Sequence, residues 1–216
     1  MTIPPWTYSR LSGFETCPKQ FYHLKVLRDV KDPPTVHTIW GERVHTAFEN
    51  AINDSTALPD GMKQWQNIAD KFMSITGAKL AEYKFAISSD FKPTQWDNSW
   101  SRGIADLVVR GKNSSIICDW KSGKKKPTEQ LALYAAYEFH HNPATYTVHT
   151  AFVWLASKEM TKEKFTRAGV SGIWQELLPR IRKMEDAYKR DSWPARPSGL
   201  CKNYCSVVSC KHHGSK

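Results

Sequence analysis

Apolar side chains recur with helical spacing in four segments of the chain, at residues 42–52, 63–80, 129–139 and 173–188. In each segment they fall on one stripe, which is the pattern of a helix that packs one face against a core. Three of the stripes consist of Val44, Phe48, Ala51 and Ile52; of Trp65, Ile68, Phe72 and Ile75; and of Ile173, Leu177, Ile181, Met184 and Tyr188.

Other segments have the β-rich or alternating pattern of strands. They are residues 80–87, 104–109, 115–120 and 147–155. Gly111 and Asn113 stand between the second and third of these, as expected for the loop of a hairpin. We therefore expect these two strands to pair antiparallel.

The order of the elements predicts the fold class. Helices come first, then a hairpin sheet, then a helix, a strand and a last helix, which indicates a mixed α/β fold with a central sheet flanked by helices. From about Trp193 the periodic pattern gives way to Pro, Gly and three closely spaced cysteines, which is typical of a small cross-linked tail. We expect one main domain over residues 1–192 and a cysteine-rich tail over residues 193–216.

Composition indicates a polyanionic partner. The 216 residues include 31 Lys and Arg against 21 Asp and Glu, for a net charge of +10. Such a field attracts phosphate backbones, so nucleic acid is the leading candidate. An anionic membrane surface would also suit the charge, but no segment approaches the roughly 18 to 20 apolar residues of a bilayer span. The N-terminus lacks the pattern of a secretory signal, so we expect a cytoplasmic protein whose cysteines are ligands or buried thiols.

The sharpest candidate for chemistry is the sequence Asp119-Trp120-Lys121 at the end of a predicted strand. Alternation puts Asp119 and Lys121 on one face, and Asp106 on the neighbouring strand can lie close to both. Two carboxylates suit Mg²⁺ or Mn²⁺, which phosphodiester hydrolysis requires, and a lysine can orient the attacking water. The alternative is a cross-strand salt bridge, which if exposed stabilises by about 0 to 1 kcal/mol.

Five motifs together resemble the RecB-like branch of the PD-(D/E)XK nucleases. They follow the order of that branch and extend, with the tail cysteines, from residue 9 to residue 210. A restriction-endonuclease-like core is the fold that the resemblance implies. The motifs are Ser9-Arg10-Leu11-Ser12-Gly13-Phe14-Glu15-Thr16-Cys17-Pro18-Lys19-Gln20-Phe21, Gly41-Glu42-Arg43-Val44-His45-Thr46-Ala47-Phe48-Glu49, Gly103-Ile104-Ala105-Asp106-Leu107-Val108, Asp119-Trp120-Lys121-Ser122-Gly123 and Gln130-Leu131-Ala132-Leu133-Tyr134.

The resemblance also implies roles for single residues. His45, Asp106 and Asp119 would bind the metal ion, with the backbone carbonyl of Trp120 as a further ligand. Lys121 would be the catalytic lysine.

Three more residues have implied roles near this site. Gln130 and Tyr134, four apart on one helical face, would reach into the site or touch the substrate backbone. Glu82 would have a secondary role near the metal, the alternative being a solvated carboxylate paired with Lys84.

Four cysteines, Cys17, Cys201, Cys205 and Cys210, form a second candidate site. One upstream cysteine followed by three in the tail resembles the iron-sulfur staple of AddB-type helicase-nucleases and of CRISPR-associated RecB-like exonucleases. Four thiolates are the usual ligands of a 4Fe-4S cluster. The gaps of three and four residues depart from the family's usual tail, so zinc stays an alternative, with Cys17, His212 or His213 as the fourth ligand. We expect Cys118, on a strand, to be a buried core residue.

Aromatic and cationic residues also suggest where DNA binds. Trp96, Trp100 and Arg102 precede the first catalytic strand and suit single-stranded DNA, although most of the nine tryptophans are expected in the core. The other candidates for phosphate contacts are Lys124, Lys125 and Lys126.

The resemblance favours an exonuclease over an endonuclease, in recombination, repair or phage DNA processing. Phosphate loops of the Walker type are absent from the sequence, so a helicase would be a partner, as would a recombinase or a CRISPR-adaptation protein. We expect a bacterial cytoplasm, or a phage-encoded protein in the cytoplasm of its host. Two alternatives are a catalytically silent DNA-binding module and an adaptor in which the metal-bearing tail is the functional element.

Overall fold

A computed structural model describes residues 3–123 and 127–215. The chain divides into two compact units, which we call the sheet unit, Thr35–Gln175, and the terminal unit, Met1–Pro34 with Glu176–Lys216. None of the helices in the described ranges has the length and apolar character that crossing a membrane requires. The predicted start of a cysteine-rich tail at residue 193 stays a prediction.

A mixed five-stranded sheet forms the centre of the sheet unit. Its strands follow the order β1-β2-β3-β4-β5, and every neighbouring pair is antiparallel except β3 with β4. The mixed α/β fold, with a restriction-endonuclease-like sheet flanked by helices, is confirmed, as is the antiparallel hairpin. The strands are β1 (Ala78–Ile87), β2 (Ser101–Arg110), β3 (Ser114–Lys121), β4 (Thr147–Trp154) and β5 (Glu159–Thr166).

The edge strand β5 has no counterpart among the predicted strands. It contains Met160 and Phe165 among charged and hydroxyl residues, and most of its side chains are exposed. Its half-buried positions are Thr161, Glu163 and Phe165, of which only one is apolar, so the pattern of hydrophobic residues could not reveal this strand.

Three helices and a short helical turn complete the sheet unit. Helix α3 (in chain order after two helices of the terminal unit) begins six residues before its predicted start at residue 42, because Thr35 caps it and exchanges hydrogen bonds with Thr38. Its first two turns carry Val36, Ile39 and Trp40 at helical spacing, but these side chains are exposed, so the buried stripe begins only after them. The elements are α3 (Val36–Asp54), a 3₁₀ turn (Asp60–Trp65), α4 (Gln66–Met73) and α5 (Glu129–His141).

The helix predicted over residues 63–80 is wrong at both ends. Its first residues form the 3₁₀ turn, and the chain leaves α4 after Met73 to enter β1 at Ala78. Gly77 makes this possible, because its φ of 138° is rarely adopted by other residues and a Cβ there would lie 2.6 Å from the carbonyl oxygen of Arg110.

The main core of the sheet unit lies between α3, α4 and one face of the sheet. Trp120 stacks on Phe48 with ring centroids 4.6 Å apart and meets Phe72 edge-on at 5.0 Å. Cys118 is fully buried in this core, as predicted. Trp65 and Trp154 are buried too, so much of the tryptophan content serves packing.

The terminal unit is built on short helices and aromatic contacts. Trp193 stacks on Tyr22 with centroids 5.0 Å apart and meets Tyr188 edge-on at 4.9 Å. Arg180 pairs with Glu15 at 2.7 Å. Helix α6 (Val170–Arg190) begins in the sheet unit and continues into this one; the other helices are α1 (Tyr8–Thr16), α2 (Pro18–Phe21), a π-helical turn (Tyr22–Leu27) and α7 (Leu200–Asn203).

Candidate active site

The candidate site lies where strands β2 and β3 separate. Their pairing ends at Leu107 and Cys118, while β1 stays paired with β2 as far as Ile87 and β3 stays paired with β4 as far as Lys121. The next residues in the register are Asp106 and Asp119. The two strands therefore diverge at the two carboxylates that the sequence singles out. We call this site the fork, and its residues are His45, Glu82, Asp106, Asp119 and Lys121.

Asp106 is held at both of its oxygens. Its Oδ2 accepts a hydrogen bond of 2.6 Å from the backbone N–H of Trp120, which the end of the β2–β3 ladder leaves available. Its Oδ1 lies 3.0 Å from Nδ1 of His45 on α3. With only 6 % of its surface exposed, this carboxylate has a fixed orientation. Whether the Trp120 carbonyl oxygen is a metal ligand stays a prediction.

His45 stands between two carboxylates. Its Nδ1 lies 3.0 Å from Asp106 and 3.9 Å from Oε1 of Glu82. The pKa of His45 is raised to about 10, mainly by the contact with Asp106 and to a smaller extent by that with Glu82, although burial opposes the shift. The imidazole is thus protonated at neutral pH in the metal-free protein.

Glu82 has an unusual backbone for a strand residue. Its φ is 46°, within β1 and opposite Asp106 in the register. A residue other than glycine in this left-handed region costs roughly 1 to 2 kcal/mol. Sequence reasoning gave Glu82 a secondary role, and no sequence pattern signals this backbone.

A divalent cation fits the donors of this group. Among the described residues, His45, Glu82 and Asp106 form the one set of three potential ligands whose donor atoms all lie within 4.8 Å of one another. Two carboxylates and an imidazole, supplied by three different elements, suit Mg²⁺ or Mn²⁺. The set includes Glu82 in place of Asp119.

Asp119 is instead engaged with Lys121. Its Oδ1 lies 2.6 Å from the lysine Nζ, and the residue is 3 % exposed. The pKa of Asp119 is raised to about 7, mainly by burial and to a smaller extent by the negative charge of Asp106. The positive charges of Lys121 and His45 lower it. A carboxylate buried beside a second carboxylate is a group that an added cation would stabilise.

A chain of polar contacts leads from Lys121 to the core. Its Nζ donates to Oε1 of Gln130 at 3.4 Å, and Gln130 Nε2 donates to the hydroxyl of Tyr134 at 2.7 Å. The Tyr134 hydroxyl donates in turn to the carbonyl oxygen of Ile104 at 2.6 Å. Tyr134 is only 4 % exposed, so it lies behind the site and supports Gln130 and Lys121 from there.

The residues predicted to contact DNA are less fully described. Arg102 packs on Trp96, with its guanidinium carbon 4.5 Å from the ring centroid. Trp100 contacts Phe91 and Trp174 in an aromatic cluster. The predicted contacts Lys124, Lys125 and Lys126 lie outside the described residues.

The cysteine site belongs to the terminal unit. The backbone N–H of Arg196 donates to Sγ of Cys17 at 3.4 Å, and that of Ser198 donates to Sγ of Cys201 at 3.5 Å. All cysteines are free thiols. One small pocket is lined by Cys17, Cys201, Cys205, Cys210, His212 and His213 together with neighbouring residues.

Among known proteins, solved structures are similar to this one in fold. No curated protein matches the sequence. Among solved structures, a candidate exonuclease from Eubacterium rectale matches with a TM-score of 0.56 and 11 % identity, over 92 % of this chain and 86 % of that one. The protein SSO0001 matches with a TM-score of 0.49 and 13 % identity, over 99 % of this chain and 88 % of that one.

The family comparison covers most of the chain. The sequence model of the PD-(D/E)XK nuclease superfamily matches residues 5–210, a range that includes every described residue of the fork. The protein therefore belongs to the PD-(D/E)XK nuclease superfamily.

Proposed function

We propose that the protein is a divalent-metal-dependent deoxyribonuclease of the RecB-like branch that removes nucleotides from DNA ends. The observation that carries this proposal is the fork, where the donor atoms of His45, Glu82 and Asp106 lie within 4.8 Å of one another beside the buried pair of Asp119 and Lys121. Superfamily membership gives DNA as the substrate.

The residues of the fork would divide the work of hydrolysis. His45, Asp106 and Asp119, with Glu82 as a fourth donor, would hold Mg²⁺ or Mn²⁺, which supplies charge for the phosphate oxygens and lowers the pKa of a bound water. The Lys121 ammonium would orient the attacking water and offset charge that develops on the phosphate. Gln130 keeps that ammonium in position, and Tyr134 keeps Gln130 in position.

Digestion of end-labelled DNA tests this proposal. Linear and circular DNA, single- and double-stranded, would be incubated with Mg²⁺ or Mn²⁺. We expect linear DNA to be lost with either metal and circular DNA to survive, and we expect no loss in EDTA. Asp119→Ala and Lys121→Ala should abolish the loss, while Asp54→Ala, at the exposed end of α3, should cut as the wild type does.

Each other outcome has a distinct meaning. Cleavage of circular DNA would overturn the exonuclease assignment and leave an endonuclease. Unchanged cleavage by Asp119→Ala would overturn the assignment of the site. DNA binding without any cleavage would identify a catalytically silent binding module.

For the terminal unit we propose a 4Fe-4S cluster bound by Cys17, Cys201, Cys205 and Cys210. The four cysteines line one small pocket together with His212 and His213. Four thiolates are the usual ligands of a 4Fe-4S cluster. Backbone N–H groups directed at two of the sulfurs suit thiolate ligands.

Absorbance and metal analysis of protein purified without oxygen test the cluster. We expect a brown protein with about four irons per chain. Cys205→Ser should bleach it, while Cys118→Ala, in the core of the sheet unit, should leave the colour unchanged. A colourless protein with stoichiometric zinc would overturn the cluster and establish the zinc alternative.

The cellular setting is the last part of the proposal. A nuclease that acts on DNA ends and lacks a motor sequence fits recombination, repair or phage DNA processing in the cytoplasm of a bacterium or a phage host. A helicase, a recombinase or a CRISPR-adaptation protein would be its partner. Co-purification of the tagged protein from its host would test this setting, and recovery of the protein alone would count against it.

A further inference from the structure

Two cationic side chains converge on the ring of Trp96 in the sheet unit. The guanidinium carbon of Arg102 lies 4.5 Å from the ring centroid, and Nζ of Lys84 lies 5.7 Å from it. Arg102 also donates from Nη1 to the carbonyl oxygen of Trp96 at 3.2 Å. The indole thus holds two positive charges close together, and we call Lys84 and Arg102 the cation pair.

The cation pair has no acidic counterpart. Within residues 3–123 and 127–215, neither Lys84 nor Arg102 forms an ion pair with a carboxylate. Lys84 is exposed and Arg102 is partly exposed. The negative face of the indole attracts both cations and keeps them close to the ring. Two like charges that are held together without a carboxylate leave a place for an anion.

The cation pair lies on the same two strands as the candidate metal group. Lys84 follows Glu82 by two residues on β1, and Arg102 precedes Asp106 by four residues on β2. At roughly 3.3 Å per residue, these separations are about 7 and 13 Å along the strands. The spacing is that of neighbouring nucleotides in an extended strand.

Ile104 lies between the two groups. It is the cross-strand partner of Lys84 and precedes Asp106 by two residues. Its side chain is 37 % exposed and is therefore open to contact with a ligand. An exposed apolar side chain there suits contact with a sugar or a base and not with a phosphate.

We propose that the cation pair binds one phosphate of the DNA strand that is cut, on one side of the scissile phosphate, and that Ile104 contacts the intervening nucleotide. Trp96 is a positioning residue, which acts by orienting Lys84 and Arg102. The position of the scissile phosphate rests on the function proposed above. Because the contact involves one strand only, a single-stranded oligonucleotide is a sufficient probe of it.

Binding of short single-stranded oligonucleotides in EDTA, where no cleavage occurs, tests the phosphate contact. Lys84→Met and Arg102→Met should each weaken binding roughly three- to tenfold at about 0.1 M salt and reduce the salt slope by about 0.7. Lys112→Met, in the turn at the other end of β2, removes the same charge and should leave affinity within twofold. Slopes that stay unchanged in both variants would overturn the proposal.

Neutral linkages locate the phosphate. In a series of oligonucleotides, each with one methylphosphonate, a single position should weaken wild-type binding about as much as Arg102→Met does. At that position the losses of binding free energy caused by the neutral linkage and by Arg102→Met should not be additive, because both changes remove the same contact. Full additivity at every position would contradict the proposed contact.

Substitution of Trp96 separates positioning from general stability. Trp96→Ala keeps both charges, so we expect weaker binding with most of the salt slope retained. Trp96→Phe keeps an aromatic face and should restore affinity. Equal affinity of Trp96→Ala and wild type would show that the indole has no part in binding, provided that circular dichroism finds both folded.

This test is independent of the nuclease assignment. If the wild-type protein cuts no DNA while the cation-pair variants lose affinity, the nuclease proposal fails and the phosphate contact stands. If cleavage requires metal and the variants bind as the wild type does, the phosphate contact fails and the nuclease proposal stands.

Discussion

Two buried carboxylates at opposite ends of the β2–β3 hairpin have very different surroundings. Glu138 is fully buried, and Arg110 donates to it through Nε and Nη2 at 2.9 and 2.8 Å. Ser115 and Asn142 donate to the same carboxylate at 2.7 and 3.3 Å. Asp119 is almost as deeply buried, yet among the described residues its one ion pair is with Lys121.

The difference separates a carboxylate whose charge the protein satisfies from one that is buried beside a second carboxylate. Four donors satisfy the charge of Glu138, so nothing further is needed there. Asp119 faces the charge of Asp106, and its pKa is raised to about 7. A buried carboxylate that the fold leaves short of donors is where a metal ion gains most.

Loss of the Asp119 charge should have the largest effect on activity. Asp119→Asn keeps the size of the side chain but removes the charge that would hold a cation, so we expect metal-dependent cleavage to fall at least about a thousandfold. In EDTA its free energy of unfolding should equal or exceed that of the wild type, because the repulsion between the buried carboxylates of Asp119 and Asp106 is gone. Cleavage rates on labelled DNA and urea denaturation measure the two effects. Near-normal cleavage by Asp119→Asn would contradict the difference inferred between Asp119 and Glu138.

Loss of Glu138 should give the reverse result. Glu138→Ala leaves Arg110 without its buried partner, which we expect to lower the free energy of unfolding by about 3 to 5 kcal/mol. Cleavage per folded molecule should stay close to that of the wild type, since Glu138 lies at the other end of the hairpin. Urea denaturation together with an activity assay at low temperature would show this, and normal stability would refute the structural role.

A smaller effect is expected from Gln130. Gln130→Ala frees the Lys121 ammonium from its contact at 3.4 Å, and supporting residues of this kind typically change activity about 10- to 100-fold. Gln130→Glu retains an acceptor and should recover part of the rate. The decrease should appear in kcat more than in KM, because the lysine would act on the attacking water.

The wild type and Asp119→Asn should also differ in how their stability depends on pH. In metal-free protein the pKa of Asp119 is raised from 3.8 to about 7, so the folded state binds more protons than the unfolded state between these values. This contribution to stability is complete below about pH 4 and is lost as the pH rises towards 7. His45, raised to about 10, extends the decline above about pH 6.5. The difference between wild type and Asp119→Asn, measured by urea denaturation in EDTA, should grow across the first window, and Mg²⁺ should reduce it.

Much of the fold followed from periodicity in the sequence. The core-facing stripes of α3 and α6 and the hairpin of β2 and β3 are where the spacing of apolar residues places them. Periodicity failed where burial is slight, in β5 and in the first turns of α3, and where Gly77 ends a helical pattern. The short helices α1 and α2 carry too few buried positions to show a period.

The sequence identified candidate residues of the site, but it did not predict the hydrogen bonds and ion pairs between them. The motifs bring Asp106, Asp119 and Lys121 to one region, as alternation on two strands implies. Motifs do not show that the hairpin opens at that point, or that Asp106 accepts a hydrogen bond from a freed backbone N–H. These contacts depend on register and twist, which neighbouring strands determine together.

The left-handed backbone at Glu82 limits which residues the position can accept. Glycine, asparagine and aspartate tolerate that conformation best, and of these only aspartate keeps a carboxylate. Variation towards glycine or asparagine would relieve the backbone and remove a candidate ligand, so it should yield a more stable and less active protein. Position 82 is thus a place where selection for stability and selection for nuclease activity favour different amino acids.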